Sequence, residues 1–448
     1  MVDKKQFLIK LVLALIFTFS LAYYYVTINH FSEFPELGDF SKFYLSARYF
    51  WEGKDIYAPV PLSTFRNPHD EIFNKLQLLP PDKMKSVPGN LHPNLNPPFQ
   101  TLVMAPLGLI GYKQAFWLYS FLSITMGLVA LVLISRELAA PKHDLPVLLG
   151  YLIVILGYFP SWVTIVFGQF SFILLLLITL GWLAARSGKD KMAGIYLGLA
   201  MSLKIFIGLF LIFFLIRRRW RLLSWFILTF IVLSLLPLLI MGIDTYKDYL
   251  SILSGITWYA ASWNASFMGF FTRIFGGSEN LPLINRPDVA LALTRICSLA
   301  FLCGLGWVAW PREPATSPDQ FDLGFSLTIV GMFLLSPLGW MYYFPALIIP
   351  AAVAWRLAGR LGPAIRYKLL LALAWILSTI PNHLISAPEM NTPQLWFTWA
   401  GFYFYSLLLF SFILGSLARE LSRGPAPADI ALPGPPTPSP QGTPVPEP

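Results

Sequence analysis

FLIKLVLALIFTFSLAYYYVTI, Phe7 to Ile28, is apolar along its whole length except for Lys10, and LGDFSKFY, Leu37 to Tyr44, begins nine residues later. A hydrocarbon core about 30 Å thick is crossed by about 20 helical residues, so the first stretch is long enough to span a bilayer. The second brings the carboxylate of Asp39 to the membrane surface, just outside the hydrocarbon, with Lys42, Arg48, Gly53 and Tyr57 behind it. Nearly everything downstream is hydrophobic, so this loop is the first place where the chain can hold a charged, water-accessible reactive group. The competing reading is a solvated loop whose Asp caps a short helix, a common role for that residue.

Composition supports the membrane reading. Of 448 residues, 56% are hydrophobic and only 12% charged, against about 25% charged in soluble domains. Length therefore converts to a number of spans and not to soluble domains. The net charge of +9 is no nucleic-acid signature, because the basic residues gather in short clusters between apolar runs, as cytoplasmic loops do. Cys297 and Cys303 lie in one apolar segment, which excludes a disulfide framework, and no His/Cys group has metal-site spacing. Neither cofactor nor metal is expected. The first apolar run has no small-residue cleavage site and reads as a retained signal anchor.

Lys and Arg cluster at 4–10, 136–142, 186–191, 217–221 and 356–368, and the positive-inside rule assigns those segments and both termini to the cytoplasm. Two long loops, 29–97 and 242–288, are then extracytoplasmic. The first holds amphipathic candidates at Phe40–Trp51 and Asp70–Leu79 and a proline-rich turn from Pro88 to Pro98. Phe99–Ile110 is too short to span and reads as a re-entrant or interfacial helix. Between Met192 and Ile216 only Lys204 interrupts the apolar run, and both flanks are basic. Two half-length helices meeting at Lys204 satisfy the charge rule where one span would not. Gly194 and Gly198, four apart, would let backbones approach there. The expected architecture is all-α and polytopic, with about ten full spans plus this half-length pair. Residues 1–423 form the membrane domain, and 424–448, rich in Pro, are expected to be a disordered cytoplasmic tail.

Five islands of sequence resemble glycosyltransferase family 87, the multispanning, polyprenol-phosphate-sugar-dependent transferases of the GT-C class, best known as mannosyltransferases. They are Asp39-Phe40 with Tyr44, Ala47, Gly53 and Tyr57; Pro97-Pro98 with Pro106; Gly168-Gln169 followed by Ala193-Gly194, Gly198 and Lys204; Asn264-Ala265-Ser266 with Gly269 and Arg273; and Ser336-Pro337 with Trp340. Two departures stand out. Asn96 precedes the double proline where the family usually has Tyr, and Tyr342-Tyr343 follow Trp340 where many members have a His pair.

The resemblance implies an extracytoplasmic active site, a polyprenyl-phosphate sugar donor, a glycan or glycolipid acceptor, and Asp39 as the general base of an inverting displacement. A lipid phosphate leaves as a stabilised anion, so one base and some positive charge suffice, where hydrolases need two carboxylates. Lys204 and Arg273 are the candidate phosphate ligands. A lysine deep in an apolar segment costs at least about 2.5 kcal/mol, which usually means a partner or a task; a snorkelling lysine or structural ion pair is the alternative. Lys42 shares a helical face with Asp39 and can keep it ionised. Trp340, Tyr342 and Tyr343 can stack on a sugar, although interfacial aromatic belts give the same pattern. Tyr44, Gln169, Asn264 and Ser266 complete the expected substrate-binding set. A transporter or flippase of lipid-linked sugars, and a polymerase or ligase using the same donors, are the alternatives. One broken helix pair and no internal repeat argue against a transporter.

Overall fold

The computed structural model describes residues 4–33, 38–58, 60–61, 90–91, 94–138, 145–276, 285–311, 317–361, 364–381 and 401–423. The amphipathic candidate at 70–79 and the tail at 424–448 lie outside the described residues. Helix α1 (Lys4–Phe31) precedes α2 (Phe40–Trp51). Val60–Pro61 and Asn90–Leu91 pair as a minimal antiparallel ribbon, β1 and β2. Then come α3 (Pro98–Met104), α4 (Tyr112–Leu138), α5 (Leu145–Leu156), α6 (Phe159–Val166), α7 (Ser171–Arg186), α8 (Asp190–Leu203) and α9 (Leu209–Ile216). The chain continues through α10 (Trp220–Met241), α11 (Ile243–Ser254), α12 (Phe267–Phe275), α13 (Pro287–Ala309), α14 (Pro318–Leu335), α15 (Ile348–Leu361), α16 (Ala364–Thr379) and α17 (Phe402–Arg423). Phe99–Ile110 forms no long helix: α3 gives way to a 3-10 turn at Ala105–Leu109, because Pro106 removes a backbone donor.

Among the described residues, six helices are long and apolar enough to cross a membrane, or seven if α6 and α7, bent by 118°, make one span. This is fewer than the ten read from apolar runs. The difference lies in short helices such as α5, with 12 residues, and α16, with 16. The outward faces of α1, α10 and α13 leave Phe19, Leu239 and Leu299 exposed, as lipid-facing helices do.

The segment around Lys204 is a hairpin. Asp190 opens α8, and its carboxylate pairs with Arg219 just beyond α9, so the two ends of the segment meet. Lys204 is at the far tip, its backbone extended (φ −147°, ψ 114°), followed by a 3-10 turn over Ile205–Gly208. Close packing against α10 requires glycine: a Cβ on Gly194 would stand 2.6 Å from the Leu222 carbonyl oxygen, and one on Gly198 2.7 Å from that of Phe226.

One end of the bundle carries a buried ionic cluster. Asp322 of α14 is fully buried and accepts from Trp182 Nε1 (2.9 Å) and Arg356 Nη2 (2.8 Å), with Arg186 Nε at 3.2 Å. Asp319 pairs with Arg356 and Arg360, and Glu137 with Arg186. Pairing and hydrogen bonding of this kind offset the cost of taking these charges out of water. With 18 residues, α14 is about 27 Å long. The turn after Leu335 is therefore at the opposite end of the bundle from this cluster.

Candidate functional site

At that opposite end, Asp39 stands at the N-terminus of α2. Its side chain makes no capping bond, so the helix-cap reading of this residue does not hold. One carboxylate oxygen pairs with Lys42 Nζ at 2.5 Å, one helical turn on, and the other accepts from Gln169 Nε2 at 2.6 Å. Gln169 reaches it because the turn between α6 and α7 is tight. Gly168 adopts φ +61°, and a Cβ there would stand 2.5 Å from the Cβ of Phe40, so only glycine fits. Tyr343 Oη donates to Gln169 Oε1 at 3.3 Å, which fixes the amide's orientation.

Burial alone would raise the Asp39 carboxyl's pKa. The charge and hydrogen bond of Lys42, the Gln169 amide and the charge of Lys204 outweigh it and hold the group below its usual range. Asp39 is therefore an ionised carboxylate at neutral pH.

A cavity of about 300 Å³ opens beside it, large enough for a small ligand. Its polar lining comes from Asp39, Lys42, Asn96, Gln169 and Lys204, and its aromatic and apolar lining includes Phe206, Tyr249, Leu253, Ile256, Tyr259, Trp340, Tyr342 and Tyr343. Lys204 donates to Asn96 Oδ1, and its ammonium stands 5.1 Å from the centre of the Tyr343 ring. The carbonyl of Tyr342 accepts from Thr164 Oγ1 (2.7 Å) and Ser171 Oγ (2.6 Å), which ties the aromatic turn to α6 and α7.

Of the residues expected at the site, Asp39, Lys42, Gln169, Lys204, Trp340, Tyr342 and Tyr343 come together here. Tyr44, Asn264, Ser266 and Arg273 do not line the cavity. Tyr44 is buried, donates to the Ile110 carbonyl at 2.9 Å and packs on Phe40 and Tyr112. Asn264 is a clasp: Nδ2 donates to the carbonyls of Tyr259 and Pro337, and Oδ1 accepts from the amides of Ser266 and Gly339. Ser266 caps α12 through the Gly269 amide. Arg273, 2% exposed, donates through Nη1 to the carbonyls of Ala261 and Asn264, both at 2.9 Å. These three hold the loop that Trp340 joins through a backbone bridge to Asn264.

Sequence reasoning did not assign Asn96 or the wall from α11, Tyr249 and Leu253, with Ile256 and Tyr259 beyond it. Asn94 and Asn96, two amides before a double proline, were the available signal for the first; an amphipathic surface helix gives none for the second.

Fold and site together define a polytopic helical membrane protein whose charged cavity lies at one end of the bundle. The chain belongs to glycosyltransferase family 87, whose model matches residues 94–337. It is also similar to the polyprenol-phosphate-mannose-dependent alpha-(1-2)-phosphatidylinositol pentamannoside mannosyltransferase of Mycolicibacterium smegmatis, with 24% identity over 288 residues. That alignment covers 63% of this chain and 65% of the relative, so the chain spans just under two thirds of the relative's length.

Proposed function

We propose that this chain is a membrane glycosyltransferase that moves a hexose, mannose by analogy with the similar mannosyltransferase, from a polyprenyl-phosphate donor to a glycan or glycolipid acceptor. The observation that carries the reading is the ionised Asp39 carboxylate sharing one cavity with Lys204. The acceptor hydroxyl oxygen attacks the anomeric carbon from the face opposite the phosphate, and its proton passes to Asp39. The bond from the anomeric carbon to the phosphate oxygen breaks, and its electron pair leaves on the polyprenyl phosphate. The phosphate gains one negative charge in that step, so a lysine beside it stabilises the transition state more than the ground state. One displacement inverts the anomeric configuration. Trp340 and Tyr342 offer ring faces to the sugar.

The cavity faces the outside of the cell membrane in this reading, both termini are cytoplasmic, and loops 29–97 and 242–288 are external. The chain crosses about ten times if the shorter helices also span. Support comes from the basic residues Arg186, Arg219, Arg356 and Arg360, which gather at the bundle end away from the cavity. In a variant with Cys297 and Cys303 replaced by serine, a membrane-impermeant maleimide should label intact cells through Lys247→Cys and not through Ser187→Cys. The reverse pattern would invert the topology.

The functional test is transfer by purified protein from a panel of synthetic polyprenyl-phosphate sugars to lipid and oligosaccharide acceptors. Transfer, with mannose the preferred sugar, is expected. The broken hairpin at Lys204 is the feature a flippase would share. A protein that carries these donors across a vesicle bilayer without cleaving the phosphate–sugar bond would overturn the transferase reading, whereas chain-length growth of a lipid-linked glycan would make it a polymerase.

A further inference from the structure

Lys204 is held by a chain of hydrogen bonds whose direction is fixed from its far end. Ser46 Oγ donates to the Ile56 carbonyl at 2.8 Å, so its oxygen is free to accept from Asn94 Nδ2 at 3.1 Å. With its amide nitrogen committed there, Asn94 presents Oδ1 to both the backbone N–H (3.1 Å) and Nδ2 (2.8 Å) of Asn96. Asn96 then has only Oδ1 left for Lys204, and that is the contact observed. A flipped Asn96 would aim two N–H donors at an ammonium and two carbonyl oxygens at each other, so the network permits one orientation. Tyr57 Oη donates to the Asn96 carbonyl at 2.6 Å and pins the backbone as well. Asn96 and Asn94 are 1% and 4% exposed, so water does not compete for these bonds.

The acceptor that holds Lys204 is neutral. Among the described residues Lys204 enters no salt bridge, whereas Lys42 is paired with Asp39. Two lysines against one aspartate leave the cavity with one uncompensated positive charge, which suits an anionic lipid phosphate. A carboxylate at position 96 would hold the ammonium just as well but would cancel that charge.

We propose that Asn96 is a positioning residue for the donor phosphate: it fixes the Lys204 ammonium in the cavity without neutralising it, and so sets the affinity for a lipid phosphate. This rests on the reading of the cavity as a lipid-phosphate site. Asn96, which accepts from the ammonium, and Tyr343, whose ring centre is 5.1 Å from it, are both positions where this sequence departs from the residues usual in the family it resembles.

The test is the binding of farnesyl phosphate, a short polyprenyl monophosphate, to detergent-purified full-length protein by titration calorimetry. Three proteins are compared: the parent, Asn96→Ala and Asn96→Asp. Losing a charge-assisted contact typically costs about 10-fold or more, and Asn96→Asp, which neutralises Lys204, should bind about 10–100-fold more weakly than the parent. Asn96→Ala, which frees the lysine but leaves its charge, should fall between the two. A merely structural role predicts the opposite order, since the aspartate restores a partner for the half-buried lysine and the alanine does not. Asn96→Asp binding as tightly as Asn96→Ala, or Asn96→Ala binding as tightly as the parent, would remove the proposal, and the alanine comparison stands even if the aspartate variant fails to fold. If the parent itself does not bind the probe, the lipid-phosphate reading of the cavity falls and the proposal falls with it. Parent binding with unchanged variants removes the role of Asn96 alone.

Discussion

Asp39→Asn should lower the rate of sugar transfer about 10²–10⁴-fold, the usual contribution of a positioned general base. The substitution keeps the size of the side chain and an oxygen for Gln169, but the amide cannot take the acceptor's proton. Donor binding should not weaken, because the phosphate is assigned to Lys204 and the substitution removes no positive charge. Asp55→Asn is the control: Asp55 accepts from the backbone of Tyr57 and does not line the cavity, so that variant should stay active. The pH profile follows from the same geometry. The depressed pKa of Asp39 means the base is ionised down to its ordinary titration range near pH 4 and somewhat below it. Activity should hold across neutral and mildly acidic pH and be lost only when acid protonates this carboxylate. An acid limb near pH 6 to 7 would point to a different base.

Lys204→Met and Arg273→Met should fail in different ways. Methionine at 204 keeps the apolar stem and removes the charge, so donor affinity should drop about 10–100-fold, the worth of a charge-assisted bond to phosphate, while the protein purifies normally. Arg273 is outside the cavity and donates to the two carbonyls that shape the Asn264 loop. Its replacement orphans buried acceptors, at about 1–3 kcal/mol each. It should lower thermal stability and reach donor binding only through the Trp340 turn. Equal loss of donor affinity with unchanged stability in both variants would return Arg273 to the phosphate.

The sequence made Asp39 and Lys204 legible for physical reasons. A carboxylate just past a span, and a lysine inside an apolar run with basic residues on both flanks, are costly placements that composition does not explain. The half-length hairpin followed from the same argument, with Gly194 and Gly198 as its packing signal. Asn264, Ser266 and Arg273 bond the loop beside the cavity, a placement no sequence pattern separates from substrate binding, because an amide, a hydroxyl or a guanidinium can serve either. The span count differs from the apolar-run reading for a different reason. Helix α14 begins at Pro318 and carries Asp319 and Asp322, which are paired with arginines of other helices. Hydropathy prices those carboxylates as unpaired. Asn96 was visible only as a departure from a family pattern, since its role depends on partners at 46, 57, 94 and 204 that no local window contains.

If the Asp39–Lys204 cavity holds the reacting atoms, a structure of the protein with a non-transferable polyprenyl-phosphate sugar analogue will show them there. A phosphate oxygen is expected within hydrogen-bond reach of Lys204 Nζ, and the anomeric carbon between that phosphate and the Asp39 carboxylate. A phosphate bound away from Lys204, or an anomeric carbon that presents its phosphate-bearing face to Asp39, would contradict this placement.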